Sequence, residues 1–222
     1  MAATIAHEIN NPLESLLNLV FLARETCASD SEANGYLRTA EKELERISHI
    51  ARQTLGFYRD NGTLTEVLVD DLLKNVLAVY QSKLHARKIV VRCQFEAIHT
   101  LTASRGELLQ VFSNIIANSI DAMGSGGFLD IQTLETTNAE GAGIQVVVRD
   151  QGSGIEAEDL VRIFEPFFTT KERHGTGIGL WVAKQLVEKH GGRITITSSA
   201  EAGNSGTEML IFLPFEFLSS GL

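Results

Sequence analysis

Leu37, Ala40, Leu44, Ile47, Ala51, Leu55 and Tyr58 alternate spacings of three and four. Such a seam belongs to one face of a long helix that packs on another helix. A second apolar stripe, Ile5, Ile9, Leu13, Leu16 and Val20, precedes it, with a polar break near Ser29–Asn34 between them. Two amphipathic helices with a short connection form an antiparallel hairpin. One hairpin alone leaves part of both stripes wet, and a four-helix bundle made by two chains covers them. Pro12 is costly inside a helix and predicts a kink in the first one.

The pattern changes after the turn Asp60-Asn61-Gly62. Short strands are predicted at 67–69, 89–95, 128–134, 144–149, 193–198 and 208–213. Helices are predicted at 70–86, from a Ser104/Glu107 capping box to about 123, and at about 178–190. Mixed helices and mostly adjacent strands indicate an α+β class: a helical hairpin followed by a sandwich with helices on one face of a sheet. The domain boundaries are expected at 1–60 and 65–216.

Composition narrows the function classes. The chain is 44% hydrophobic and 21% charged, ordinary for a globular protein. A net charge of −9 argues against general nucleic-acid binding. Cys27 and Cys93 have no motif spacing, so neither a disulfide framework nor a zinc cluster is expected, and a reducing compartment is the simpler setting. No apolar run approaches the ~18 residues of a membrane span, and no leader pattern precedes the first helix. The closeness of Met1 to a patterned segment fits a piece cut from a larger or membrane-anchored protein.

Four stretches of the second domain carry chemistry. In NIIANSIDAM, Asn114 and Asn118 share a helix face and Asp121 follows three residues later. Carboxamide oxygens suit Mg²⁺, which takes few protein ligands beside phosphate oxygens. The same stripe also fits a solvated face. In VVVRDQGSGI, a strand ends on Asp150 and turns through Gly152 and Gly154. A carboxylate beside glycines can accept from an exocyclic amine while a flat ring approaches the backbone; an acidic turn is the plainer reading. In HGTGIGLWVAKQLVEKHGG, Gly175, Gly177 and Gly179 lead into a helix, an arrangement that suits phosphate. It is not a P-loop sequence. In IFEPFFTTKERHGTG, Phe164, Phe167 and Phe168 sit between the two glycine motifs in a polar segment. That fits a lid on aromatic anchors, with Lys171, Arg173 or His174 able to meet phosphates, as well as simple core.

Near the N-terminus, AHEINNP raises a different question. At ~100° per residue, His7 lies roughly 160° from both Ile5 and Ile9, away from the apolar stripe. Asn11 is one turn on and Glu8 flanks them. A zinc HExxH motif would need histidine at position 11, where asparagine stands. Surface residue, base and nucleophile remain open on these residues alone.

The order of the motifs is more specific than any one of them: paired asparagines, DxGxG, aromatic segment, GTGIGL, then Gly206-Thr207 before the last strand. This series, with HExxNP ahead of it, resembles the sensor histidine kinases of two-component systems. Their catalytic domain belongs to an ATPase superfamily shared with gyrase, the mismatch-repair ATPases and the heat-shock chaperone. The resemblance covers nearly the whole chain and implies a Bergerat-type fold that binds ATP with Mg²⁺. It implies Asn118 as the Mg²⁺ ligand, Asn114 and Asp121 along the triphosphate side, and Asp150 on the adenine amino group with Gly152, Gly154 and Thr207 around it. Gly175, Thr176, Gly177, Gly179 and Leu180 would wrap phosphates, and Phe164, Phe168 and Lys171 would belong to the lid. In the ATPase relatives a water-activating glutamate stands where this chain has Asn114, so slow hydrolysis is implied. Ser104 and Gln151 stand where the family often has aspartate and asparagine.

The resemblance makes His7 the phosphoacceptor, Glu8 the partner that fixes its tautomer, and Asn11 the residue that orients water for the reverse reaction. Its implied partners are a second copy of the chain and the receiver domain of a response regulator, with no nucleic acid and no direct membrane contact, in the cytoplasm. A pseudokinase scaffold that only binds ATP, or an ATP-hydrolysing clamp of the same superfamily, are the competing expectations.

Overall fold

Ile144, Val146 and Val148 alternate with Gln145, Val147 and Arg149 along one strand, and the first three are the most deeply buried. That period-two pattern marks a sheet covered on one face. The computed structural model describes residues 2–27, 31–41, 44, 63–138, 141–171, 176–201 and 203–215; for 2–12 and 14 it describes the backbone only. The chain divides into two compact units, Met1–Asn61 with Phe167–Ile178, and Gly62–Pro166 with Gly179–Leu222.

In the first unit, α1 (Ala2–Thr26) is followed by α2 (32–41). The polar break expected near Ser29–Asn34 lies partly outside the described residues, and α2 already includes Asn34. α1 continues as helix through Pro12. Arg24 pairs with Glu41 and joins the end of α1 to α2. Buried Asn34 donates from Nδ2 to the Arg24 carbonyl at 3.3 Å, and its own N–H meets Ser31 Oγ at 3.1 Å. Leu16, Leu19, Phe21 and Leu22 stay exposed on α1. The heptad seam beyond Leu44 lies outside the described residues.

The second unit contains β1 (Leu64–Val67), α3 (Val69–Ala86), β2 (Val90–Phe95), β3 (Leu101–Ser104), α4 (Arg105–Ala122), β4 (Phe128–Asn138), β5 (Gly141–Asp150), α5 (Ala157–Leu160), α6 (Gly179–Lys189), β6 (Arg193–Ser199) and β7 (Gly206–Pro214). Five strands form one sheet in the order β2-β4-β5-β7-β6. Among the described residues only β2 and β4 run parallel. β1 and β3 make a separate antiparallel ribbon. That ribbon departs from the sequence reading, which omitted β3 and placed β1 three residues late.

α4 is the central helix, packed between α3 and α6 above the sheet. Phe112, Ile115, Ile116 and Ile120 are fully buried along it, each contributing about 2 kcal/mol of apolar transfer. The inward rows follow the register: Ile131, Val148 and Met209 align, as do Leu129, Asp150 and Thr207. The outward face carries polar pairs alongside buried Phe212 and Val147. Arg92 grips Asp130 with two bonds of 2.5 and 2.7 Å, Arg149 pairs with Glu208, and Gln132 bonds Gln94. At the start of α3, Asp70 accepts from Thr133 at 2.6 Å and ties the helix to β4. Among the described residues, no helix is long and apolar enough to cross a membrane.

Candidate functional site

The alternation of β5 dictates an unusual element of the core. Its inward row runs Ile144, Val146, Val148 and then Asp150, so a carboxylate occupies the last buried position, 4% exposed. Such a group needs hydrogen-bond donors. Gly152 N–H donates to Oδ1 at 2.9 Å, and the Ser119 hydroxyl and the Thr207 N–H donate as well. Burial nevertheless pushes the Asp150 carboxyl above the usual aspartate range, against the pull of these three donors. A carboxylate has about four lone-pair positions. One acceptor position therefore remains for a ligand amine.

The backbone beside Asp150 fits only glycine. A Cβ on Gly152 would lie 2.7 Å from Ala122 Cβ and 2.9 Å from Asp150 Oδ1. Gly154 has φ +72, and its Cβ would lie 1.8 Å from the Ser199 carbonyl oxygen. The loop thus runs against both the end of α4 and β6. Ser153 N–H also caps the Ala122 carbonyl at 3.1 Å.

Asn114 and Asn118 are half-buried on one face of α4. Asn114 Nδ2 donates to the carbonyl of Gly179 at 3.0 Å, linking α4 to the first residue of α6. A Cβ on Gly179 would meet nothing closer than 3.7 Å, so this glycine is not required by packing. Leu180 follows in the first turn of α6. Phe164 lies under Lys184, whose Nζ is 5.3 Å from the ring centroid. Asp121 stands apart from the expectation. Its carboxylate takes Lys83 Nζ at 2.8 Å and Arg87 Nη2 at 3.2 Å, tying α4 to α3.

Phe168, Lys171, Thr176 and Gly177 fall in the first unit. There Phe167 adopts φ 69, exposes 70% of its surface, and donates its N–H to the Gly177 carbonyl at 2.9 Å. Gly175, Arg173 and His174 lie outside the described residues. So do the side chains of His7, Glu8 and Asn11, whose backbone is helical in α1.

Two residues went unnoticed in the sequence. Ser119 follows Asn118, and at ~100° per residue it turns from the asparagine face toward the sheet. Ser198 pairs with Thr207 across β6 and β7. Its register beside the Gly-Thr pair was the available signal. Together Asp150, Ser119, Thr207 and the glycine backbone offer an acceptor site suited to an amine on a flat ring, and Asn118 and Asn114 lie one and five residues before Ser119 on the same helix.

The model of the histidine kinase-, DNA gyrase B- and HSP90-like ATPases matches residues 103–216, and that of the His Kinase A (phospho-acceptor) domain matches residues 1–62. Sensor histidine kinase ZraS of Escherichia coli (strain K12) is 34% identical over 211 residues, covering 93% of this chain and 44% of that protein. The chain thus spans less than half the length of this relative. Full-length ShkA, solved in complex with AMPPNP, shares the fold with a TM-score of 0.73 at 23% identity, over 100% of this chain and 47% of that one. Histidine kinase ThkA, solved with response regulator protein TrrA, does so with a TM-score of 0.68 at 23% identity, over 99% and 62%. With a family match across more than half of its length, and the phospho-acceptor match ahead of it, the chain belongs to the histidine kinase-, DNA gyrase B- and HSP90-like ATPases, and among them to the sensor histidine kinases of two-component systems.

Proposed function

We propose that this chain binds ATP, transfers the γ-phosphoryl group to His7 and passes it to an aspartate of a response-regulator receiver domain. The observation that carries the ATP site is the buried Asp150, whose three protein donors leave one acceptor position beside glycine backbone. The phospho-acceptor match over residues 1–62 contains His7 and supports it as the nucleophile. The AMPPNP bound by ShkA and the regulator bound by ThkA support the same nucleotide and partner classes.

In this reading a neutral His7 ring nitrogen forms a bond to the γ-phosphorus as the bond to the β,γ-bridging oxygen breaks, and ADP leaves. Glu8 accepts the opposite ring N–H and stabilises the cation that forms. Asp150 takes the adenine amino group, with Gly152, Gly154 and Thr207 beside it. Asn114 and the segment from Gly175 through Thr176, Gly177, Gly179 and Leu180 face the phosphates, and Phe164, Phe168 and Lys171 belong to the lid. Asn118 would hold Mg²⁺, which would supply charge neutralisation when bound. Asp121, paired with Lys83 and Arg87, steadies this face rather than touching phosphate.

Residues 1–60 form the dimerisation and phosphoacceptor hairpin, and 65–216 the catalytic domain. The exposed Leu16, Leu19, Phe21 and Leu22 of α1 favour a homodimer, in which a four-helix bundle covers them. Asn11 supports a second activity, dephosphorylation of the regulator, and the cytoplasm is the setting for both. An ATP-hydrolysing clamp is disfavoured because an amide at position 114 is no general base.

Incubation with γ-labelled ATP and Mg²⁺ tests the reading. Acid-labile, base-stable label on the protein is expected, and His7→Gln is expected to remove it while nucleotide binding persists. Nucleotide binding without such label overturns the kinase reading in favour of an ATP-binding scaffold.

A further inference from the structure

Ser198 lies where three segments beside Asp150 meet. Its hydroxyl donates to the Gly206 carbonyl at 2.7 Å, accepts the Ile155 N–H at 2.9 Å, and lies 2.9 Å from Thr207 Oγ1. A serine hydroxyl has one proton, and a carbonyl only accepts. The Ser198 proton therefore belongs to Gly206, and Thr207 must be the donor in the contact between the two hydroxyls. Thr207 then has only lone pairs to offer elsewhere. It is 6% exposed and pairs in register with Asp150, itself 4% exposed. An ionised Asp150 is also acceptor-only.

We propose that Ser198 is a specificity-determining positioning residue. By holding the Thr207 proton it sets two acceptors, Thr207 Oγ1 and the Asp150 carboxylate, side by side, and this pair selects a 6-aminopurine nucleotide over a 6-oxopurine one. The inference rests on the reading of this site as an ATP site. A 6-amino group brings two N–H bonds to two acceptors. A 6-oxo group brings a third acceptor, and no proton on Thr207 is available to meet it. Buried polar groups left facing their own kind are the stronger source of discrimination.

The effect is separable from packing. Ser198→Ala removes the acceptor for the Thr207 proton, so the hydroxyl can rotate and donate to an oxo oxygen. Ser198→Thr keeps that acceptor. The experiment measures dissociation constants of the full chain for ATP and for inosine triphosphate with Mg²⁺, by calorimetry. The wild type is expected to prefer ATP by roughly tenfold or more. Ser198→Ala is expected to shrink that preference by about tenfold, mainly through tighter inosine triphosphate binding, and Ser198→Thr to keep it. In a Thr207→Val background, Ser198→Ala should leave the ratio unchanged. Should Ser198→Ala fail to fold, Ser198→Cys, with a poorer acceptor, carries the same readout. Equal weakening of both nucleotides by Ser198→Ala overturns the inference and leaves a packing role. A wild-type chain that binds neither nucleotide overturns the ATP-site reading itself, and a clear ATP preference with an unmoved Ser198→Ala ratio overturns this inference alone.

Discussion

Asn114 Nδ2 and the Gly179 carbonyl oxygen are 3.0 Å apart, and this bond ties the helix bearing the paired asparagines to the first residue of α6. It also fixes the amide: the NH₂ faces Gly179, so the carbonyl oxygen is turned the other way. Aspartate at this position would set a carboxylate against a carbonyl. Asn114→Asp is expected to lose about 1–3 kcal/mol of unfolding free energy, with Asn114→Ala toward the lower end. Nucleotide affinity should fall in both. Urea melts and calorimetry on the two variants test this. Aspartate matching the wild type in stability would show that the bond contributes nothing.

A second tie joins the far ends of the same helices. The capping box predicted at Ser104 is half present. Ser104 Oγ accepts the Glu107 N–H at 3.4 Å, but the Ser104 N–H goes to His190 Nε2 at 3.1 Å. Glu107 instead holds Lys189 at 2.5 Å, and its Oε2 has no hydrogen-bond partner. His190 Nδ1 lies 2.8 Å from the Leu186 carbonyl, so Nδ1 carries the proton and Nε2 accepts. His190→Ala leaves a buried N–H unpaired and is expected to cost about 1–3 kcal/mol. His190→Gln, with an acceptor of similar reach, should recover part of it. Thermal melts that rank Gln no better than Ala would count against this hydrogen-bond account.

The contrast between the two ties marks how far the sequence could be read. Long periodic segments were legible: α3, α4, α6 and the strands β4, β5 and β7 follow their apolar periods. β3 was not, because Leu101–Ser104 is four residues long and becomes a strand only by pairing with Leu64–Val67. Helical spacing suggested Asp121 beside the asparagine face. It could not show that Lys83 and Arg87, from another helix, would meet its carboxylate. Ser119 and Ser198 were missed for a related reason. A serine hydroxyl carries no local pattern, and its role appears only when the register brings it to Asp150 or Thr207.

The raised pKa of Asp150 gives a signed pH dependence. Its folded pKa lies above the unfolded one, so the charged carboxylate subtracts from stability at neutral pH, and that cost is relieved as pH falls through the folded pKa. Asp150→Asn has no such titration. The variant should therefore lose ground to the wild type as pH is lowered from neutral toward the ordinary aspartate range, whatever their difference at pH 8. Wild-type nucleotide affinity should weaken over the same descent, since protonation removes an acceptor. Melting temperatures and dissociation constants across that range check both, and parallel profiles for the two proteins would contradict the assignment.

Gly154 and Gly203 separate backbone strain from steric exclusion. Both have positive φ, +72 and +87, yet a Cβ on Gly154 would sit 1.8 Å from the Ser199 oxygen while one on Gly203 would meet nothing within 4 Å. Gly203→Ala is expected to cost only about 1 kcal/mol, the conformational penalty. Gly154→Ala must also push the loop off β6, which pulls Ile155 N–H from Ser198 and disturbs Gly152 under Asp150. It is expected to cost roughly 1–2 kcal/mol more than Gly203→Ala and to weaken ATP binding by roughly tenfold or more, at about 1.4 kcal/mol per factor of ten. Equal stability and equal ATP affinity for the two alanine variants would show that the loop does not depend on its contact with β6.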